Sequence, residues 1–298
     1  MGQRKKLRAL LAGPGLTLMP GAYDALSARI IEAQGFEGIV AGGYAAIGSM
    51  LAQPDTGQSN MRDYADHYAR ICAAVELPVY VDGDTGFGGV NNVRQMVRAF
   101  EAAGVAGIFV GDQTFPNRCG YLPGKQVIPP AEMVAKIKAM LDARRDADLV
   151  ICARTDAASV EGLDAAIGRS QLYMAAGADM AKPMGVDTIE QIRRVIREVP
   201  GPHMATISQA AGAGHRDLAE LEAAGVAAVT FPSLALFAAA QAVREAIATL
   251  KHDRSLAGLG RRLMALPDYY ELVGLNGQLG REASYHRAAE ALLRKVRS

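Results

Sequence analysis

Residues 101–112 read Glu-Ala-Ala-Gly-Val-Ala-Gly-Ile-Phe-Val-Gly-Asp. A helix ends, Gly104 supplies the left-handed residue that closes it, and a short apolar strand begins two or three residues later. The same phrase recurs. Glu32-Ala-Gln-Gly35 leads into Gly38-Ile-Val-Ala41, Met174-Ala-Ala-Gly177 into Asp179-Met-Ala181, and Glu222-Ala-Ala-Gly225 into Ala227-Ala-Val-Thr230. Apolar runs at Leu16–Met19, Val79–Asp82, Leu149–Ala153 and Met204–Ile207 bring the predicted strands to eight. Helical patterns follow near 23–34, 61–75, 90–103, 130–145, 163–176, 187–198, 215–224 and 233–250. Alternation over roughly 250 residues predicts an α/β fold of the (β/α)8 TIM-barrel type. An open doubly wound sheet is disfavoured, because no Gly-x-Gly-x-x-Gly fingerprint opens the first unit. The barrel is expected over 1–254. Residues 255–298 read as a helical extension, with stretches at Asp268–Val273 and Arg281–Val296 broken by Gly274, Gly277 and Gly280. Its expected use is packing against a neighbouring subunit; the alternative is a tail folded on its own barrel.

Composition narrows the class. The chain has 298 residues, half of them hydrophobic, with a net charge of +1 and a pI near 7.7. No basic excess points to nucleic acid. The longest apolar runs, such as Leu234–Ala240, are too short to span a bilayer. The basic residues 1–8 lead into Gly13-Pro14-Gly15 instead of an apolar signal core. A cytoplasmic protein acting on neither nucleic acid nor membrane is expected. Cys72, Cys119 and Cys152 are spaced for neither a disulfide framework nor a zinc site. Cys72 and Cys152 fall in core patterns, whereas Cys119 follows Arg118 in a loop.

Barrel active sites form at the C-terminal strand ends. Strand three ends in Asp82-Gly-Asp84-Thr-Gly-Phe-Gly-Gly89. Two carboxylates i, i+2 in a glycine-rich loop suit a hard divalent cation that takes one or two carboxylates and keeps several waters. The alternative is a solvated turn in which one of them caps the next helix. After strand two come Gly42-Gly43-Tyr44, whose backbone N–H groups could approach an anion, and Asp55. Strand four gives Gly111-Asp112, strand five Arg154-Thr155-Asp156, strand six Lys182-Pro183-Met184, and strand seven Thr206 and Ser208. Arg154 can grip a carboxylate in bidentate fashion. The eighteen residues 113–130 lack periodicity and read as a lid carrying Arg118, Cys119 and Lys125; the alternative is a surface loop with an incidental cysteine.

Several stretches together resemble the isocitrate lyase/phosphoenolpyruvate mutase superfamily, in particular 2-methylisocitrate lyases and carboxyphosphonoenolpyruvate phosphonomutases. They are Pro20-Gly-Ala-Tyr-Asp-Ala-Leu-Ser-Ala28, Leu51-Ala-Gln-Pro-Asp55, Val81-Asp-Gly-Asp-Thr-Gly-Phe-Gly88, Asp112-Gln113, Arg118-Cys-Gly120, Glu132-Met133, Ala153-Arg-Thr-Asp-Ala157, Gly162-Leu163 and Ala175-Ala-Gly-Ala-Asp179. The resemblance covers nearly the whole chain. It implies a magnesium-dependent barrel, with manganese as a substitute ion, that makes or breaks C–C or P–C bonds beside an enolate. It also implies a homotetramer that exchanges the eighth helix between subunits. Asp82 and Asp84 would organise the metal, with Asp55 beside it. Gly42, Gly43, Tyr44, Gly120 and Thr206 would contact a small carboxylate or phosphonate substrate, and Arg154 would hold its carboxylate. Cys119 would protonate the carbanion, and Tyr121 or Asp55 would serve as base.

The chain departs from the family pattern at five positions. Ala41 stands for serine, Gly111 for glutamate, Tyr121 for the lid histidine, Met184 for glutamate and Thr206 for asparagine. A tricarboxylate needs polar partners that these changes remove. The expectation is therefore a C–C lyase acting on a 2-hydroxy or 2-oxo carboxylic acid that is smaller or more hydrophobic than 2-methylisocitrate. P–C chemistry on a phosphonate is the enzymatic alternative. A catalytically weakened binding or assembly protein is the alternative from another class.

Overall fold

A computed structural model describes residues 2–120, 122–208 and 217–297. The chain divides into two compact units, Met1–Ala239 and Ala240–Ser298. The repeated helix-to-strand phrase is what builds the first. Gly35, Gly104, Gly177 and Gly225 take φ of 79°, 92°, 105° and 89°, a region that penalises any side chain. Each donates its N–H to the carbonyl three residues back, in Glu32, Glu101, Met174 and Glu222. Each helix is thereby closed and its chain turned into the next strand.

Eight parallel strands result among the described residues: β1 (Thr17–Pro20), β2 (Ile39–Ala41), β3 (Val79–Asp82), β4 (Gly107–Gly111), β5 (Val150–Thr155), β6 (Met180–Pro183), β7 (Met204–Thr206) and β8 (Ala228–Phe231). One ladder runs β2-β3-β4-β5-β6 and another β1-β8-β7, and a parallel bridge between Gly21 and Val40 joins β1 to β2. The predicted helices appear as α2 (Ala25–Ala33), α4 (Met61–Ala74), α5 (Val90–Ala102), α6 (Pro130–Ala143), α7 (Leu163–Ala175), α8 (Ile189–Glu198), α9 (Leu218–Ala223) and α10 (Leu234–Asp253). Two helices have no counterpart in the sequence reading, α1 (Gln3–Ala12) and α3 (Gly43–Leu51). The basic N-terminal stretch is α1. Its Leu7 and Leu11 enter the barrel core, and Arg4 and Arg8 pair with Asp146 at 2.8 Å and Asp179 at 2.9 Å.

Alternation along the strands sets the position of the site. Met19, Val40, Tyr80, Phe109, Cys152, Met180, Met204 and Ala228, one from each strand, pack together in the barrel interior above Leu7 and Leu11. Two residues further along each strand, in the same phase, stand Gly21, Gly42, Asp82, Gly111, Arg154, Lys182, Thr206 and Thr230. An apolar layer is thus overlaid, at the C-terminal end, by a ring of glycines, charges and hydroxyls. The strands' outward residues pack on the helices in a larger core that includes Ile39, Val81, Ile108, Val110, Ile151 and Phe100.

The second unit carries α11 (Leu266–Leu272) and α12 (Leu275–Arg297). Gly274 breaks the chain there with φ of 72°, but Gly277 and Gly280 lie inside α12, contrary to the expected breaks. An interior glycine costs a helix only about 1 kcal/mol. Two are not enough to interrupt one of 23 residues.

Candidate active site

The three acidic residues singled out from the sequence come together. Asp82, at the end of β3, accepts the Gly43 N–H on Oδ2 at 3.0 Å and the Asp84 N–H on Oδ1 at 2.9 Å. Tyr68 donates its hydroxyl to the Asp82 carbonyl at 2.9 Å. Asp84 sits at φ 54°, a left-handed conformation that aspartate tolerates better than most residues. Its Oδ1 accepts a short hydrogen bond from Asn117 Nδ2. Among the described residues its Oδ2 is buried without a partner, and so are Asp55 Oδ1 and the Tyr64 hydroxyl.

Burial raises all three carboxyls, and repulsion between carboxylates adds to it at Asp84 and Asp55. Asp84 is pushed up to about 8 by desolvation and then by Asp82 and Asp55. Asp55 is pushed up to about 6 by desolvation and then by Asp82. Asp82 is also raised, chiefly by desolvation. Orphaned oxygens and crowded carboxylates both call for a cation at this point. Among the described residues no three ligating side chains are already drawn into a metal cage. The fit is therefore to an ion such as magnesium, which takes one or two carboxylates and fills the rest of its shell with water and substrate.

Arg154, inward-facing on β5, is locked by Asp156, with Nε to Oδ2 at 2.8 Å and Nη2 to Oδ1 at 3.1 Å. Lys125 from the long loop reaches the same carboxylate at 3.1 Å. Desolvation works against the Asp156 carboxylate, but Arg154 and Lys125 outweigh it and hold the pKa below the usual range. Beneath them Asp112 is fully buried. It accepts from the Thr155 hydroxyl at 2.7 Å, the Asp156 N–H at 3.0 Å, the Tyr173 hydroxyl at 2.8 Å and Arg169 at 3.3 Å. Asp112 thus fixes the turn that positions Arg154.

The loop 113–130 is seated on this constellation. An antiparallel bridge between Gln113 and Val127 pins its base. The Gln113 side chain donates to the Arg118 carbonyl at 3.0 Å and accepts the Arg118 N–H at 3.1 Å. Cys119 donates its N–H to the Asp55 carbonyl at 3.3 Å, and Lys125 donates to the Gly120 carbonyl at 2.5 Å. A Cβ added at Gly120 would lie 2.6 Å from Arg154 Nη2, so only glycine lets the loop lie this close to the arginine. The Arg118 side chain is exposed and donates to the Pro123 carbonyl at 3.3 Å.

The remaining expected residues divide. Gly43 opens α3, and its N–H is spent on Asp82 instead of facing an open anion site. Gly42 caps that helix, and Tyr44 packs edge-on against Phe237 with ring centroids 5.8 Å apart. Thr206 shares a 2.9 Å hydrogen bond with Thr230 across β7 and β8. Tyr121 lies outside the described residues. Lys182, at the end of strand six, has no role assigned by the sequence. It follows Met180 in phase into the barrel, is only 4% exposed, and its Nζ stands 5.3 Å from the Phe109 ring centroid. Burial pulls it down to about 8. A cation–π contact is worth roughly 2 kcal/mol when desolvated, less than the several that burying an ammonium costs. Lysine at a strand end has no spacing signature, so the sequence offered no signal beyond its place in the ring.

The chain matches the family model described as phosphoenolpyruvate phosphomutase over residues 7–251. It is 35% identical to the 2,3-dimethylmalate lyase of Eubacterium barkeri over 92% of this chain and 95% of that protein. It is 36% identical to the 2-methylisocitrate lyase of Aeropyrum pernix over 96% of this chain and 92% of that protein. A solved structure of phosphonopyruvate hydrolase with oxalate and Mg2+ superposes with a TM-score of 0.85 at 30% identity, over 96% of this chain and 99% of that one.

Proposed function

The chain belongs to the phosphoenolpyruvate phosphomutase family, and from that premise we propose that it is a magnesium-dependent lyase. It cleaves a C–C bond of a 2-hydroxy or 2-oxo carboxylic acid through an enolate. The observation that carries this reading is the contact between lid and acidic cluster. Cys119 is tied through its N–H to the Asp55 carbonyl, next to a cluster formed by the buried carboxylates of Asp55 and Asp84 and the half-buried Asp82. The lid histidine that marks the family's lyases is absent, but the cysteine is present, and its backbone is bonded to Asp55.

Asp82 and Asp84 are the residues that would hold magnesium, with manganese as a substitute. When bound, the ion supplies Lewis-acid stabilisation of negative charge developing on the substrate oxygen, worth several kcal/mol. The rest falls to the protein. Arg154, held rigid by Asp156, keeps Nη1 uncommitted among the described residues and orients a substrate carboxylate. Asp55, with its unpartnered Oδ1, accepts the hydroxyl proton. The C–C bond breaks, and the Cys119 thiol delivers a proton to the carbanion carbon. General acid–base steps of this kind contribute about 100- to 10,000-fold. The closed loop keeps water from the enolate until that proton arrives.

The half-buried Met184 leaves an apolar wall where the family pattern has a carboxylate. This favours a substrate with alkyl substituents over a tricarboxylate. P–C cleavage of a phosphonate is the second reading, favoured by the same missing polar groups and opposed by Cys119. The protein acts in the cytoplasm as a homotetramer. The exposed Val243, Ile247, Leu292, Leu293 and Val296 support burial of the second unit against other subunits. No described helix is long and apolar enough to cross a membrane.

One panel tests the chemistry. 2,3-Dimethylmalate, other alkyl-substituted malates and phosphonopyruvate are incubated with and without magnesium, and released 2-oxo acid and phosphate are measured. Magnesium-dependent 2-oxo acid from a malate supports the lyase. Phosphate release from phosphonopyruvate alone supports the second reading, and no turnover in either class overturns both.

A further inference from the structure

Strand register places three residues in one row across the site. Gly111 of β4 is paired with Arg154 of β5, and Arg154 with Lys182 of β6. All three lie in the inward phase, so the row is a wall of the barrel mouth. At its Gly111 end no side chain exists. A Cβ built there would meet nothing nearer than the Asp84 carbonyl at 3.5 Å and Arg154 Cδ at 3.9 Å. At its other end stands a buried ammonium.

The cations of the site differ in how they are satisfied. Arg154 and Lys125 share Asp156, and Arg169 is bound by Asp112 and Glu161. The Asp82 oxygens already accept two backbone N–H groups. Among the described residues, Lys182 makes neither an ion pair nor a hydrogen bond, and its Nζ faces the ring of Phe109. An ammonium carries three donors, and a ring face satisfies none of them as an acceptor oxygen would. A buried charge in that state lacks its counter-ion. The layer below offers it, among the described residues, a tyrosine hydroxyl and a thiol, Tyr80 and Cys152, but no carboxylate, so an anionic partner would enter from the mouth.

We propose that Lys182 is the specificity-determining residue of the site, and that it receives the second, distal carboxylate of a dicarboxylate substrate. This rests on the lyase reading above, which places the reacting 2-hydroxy or 2-oxo acid end at Asp82, Asp84 and Arg154. The row then spans the substrate, with one carboxylate at Arg154 and the other at Lys182. The row carries no side chain at Gly111 and a cation at Lys182, two strands away. Both features favour a more anionic ligand on this wall.

The test compares two ligands that differ only in the distal group. Malate and lactate share a 2-hydroxy acid end, and malate alone has the second carboxylate. Dissociation constants for both, and for oxalate, are measured by calorimetry on magnesium-loaded wild type, Lys182→Met and Lys182→Gln, with folding checked by circular dichroism. Wild type is expected to prefer malate by about 30-fold, the worth of one charge-assisted hydrogen bond. Both variants should lose that preference while binding oxalate within about threefold of wild type, a change below ordinary contact energies. A preference that survives in the variants, no preference in wild type, or an equal loss of all three ligands overturns the assignment. Failure of oxalate to bind wild type with magnesium instead overturns the lyase reading on which it rests.

Discussion

Asn117 of the loop donates its side-chain N–H to Asp84, one of the two residues that would hold the metal. The same stretch closes on Gly57, where a Cβ would lie 2.9 Å from the Asn117 carbonyl. Lid position and the charge state of the acidic cluster are therefore linked through one hydrogen bond.

That link predicts the behaviour of the loop. Adding magnesium and oxalate should slow hydrogen exchange over residues 113–128 relative to the protein alone. Asn117→Ala should abolish most of the slowing while leaving the barrel strands unaffected. Equal exchange with and without ligand, under conditions where binding is verified, would show that the loop is not a lid.

Gly120→Ala tests how tightly the loop must approach Arg154. The new Cβ would stand 2.6 Å from Nη2, and Asp156 holds that guanidinium at two points. A displacement of this size near reacting groups costs about 100-fold in kcat/KM. The melting temperature should hardly change, since the site is at the surface end of the barrel. Full activity in the variant would contradict the seated loop.

Asp112→Asn probes the support beneath the site. Four donors converge on that carboxylate, and an amide can accept on one oxygen only. Urea unfolding should show a loss of about 3 kcal/mol, the scale for breaking a buried charged partner. A loss under about 0.5 kcal/mol, the scale of an ordinary surface substitution, would mean that Asp112 does not hold the strand end.

The fold was legible because one local device, a helix closed by glycine and followed by a β-rich run, was written four times. Each copy is seen as a left-handed glycine with the same hydrogen bond. The helix α1 escaped because Leu7 and Leu11 become a barrel plug only through contacts with distant strands. The placement of Asp82, Asp84 and Arg154 at strand ends and of Cys119 in a long loop was legible. The double attachment of Arg154 to Asp156 was not, nor was the loss of the Gly43 N–H to Asp82, since both depend on side-chain direction. Lys182 needed the strand register, which pairs it with Arg154.

On the proposed lyase reading, substrate choice follows from the missing polar groups. 2-Methylisocitrate and isocitrate should be poor substrates, because Gly111, Met184 and Thr206 offer a third carboxylate no charged partner. Sites that leave such groups unpaired lose up to about 10,000-fold. Turnover of either compound with kcat/KM above roughly 10⁴ M⁻¹s⁻¹, the lower end for ordinary enzymes, would refute this and imply compensating residues elsewhere.

The central claim is that Asp82 and Asp84 hold the divalent ion on which activity depends. Calorimetric titration of magnesium, in the presence of oxalate, into wild type and Asp82→Ala tests it most directly. Wild type should bind one ion per chain, and Asp82→Ala, still folded by circular dichroism, should show at least about 100-fold weaker binding, since an ion with so few protein ligands cannot lose one. Unchanged magnesium affinity in the variant would contradict the assignment.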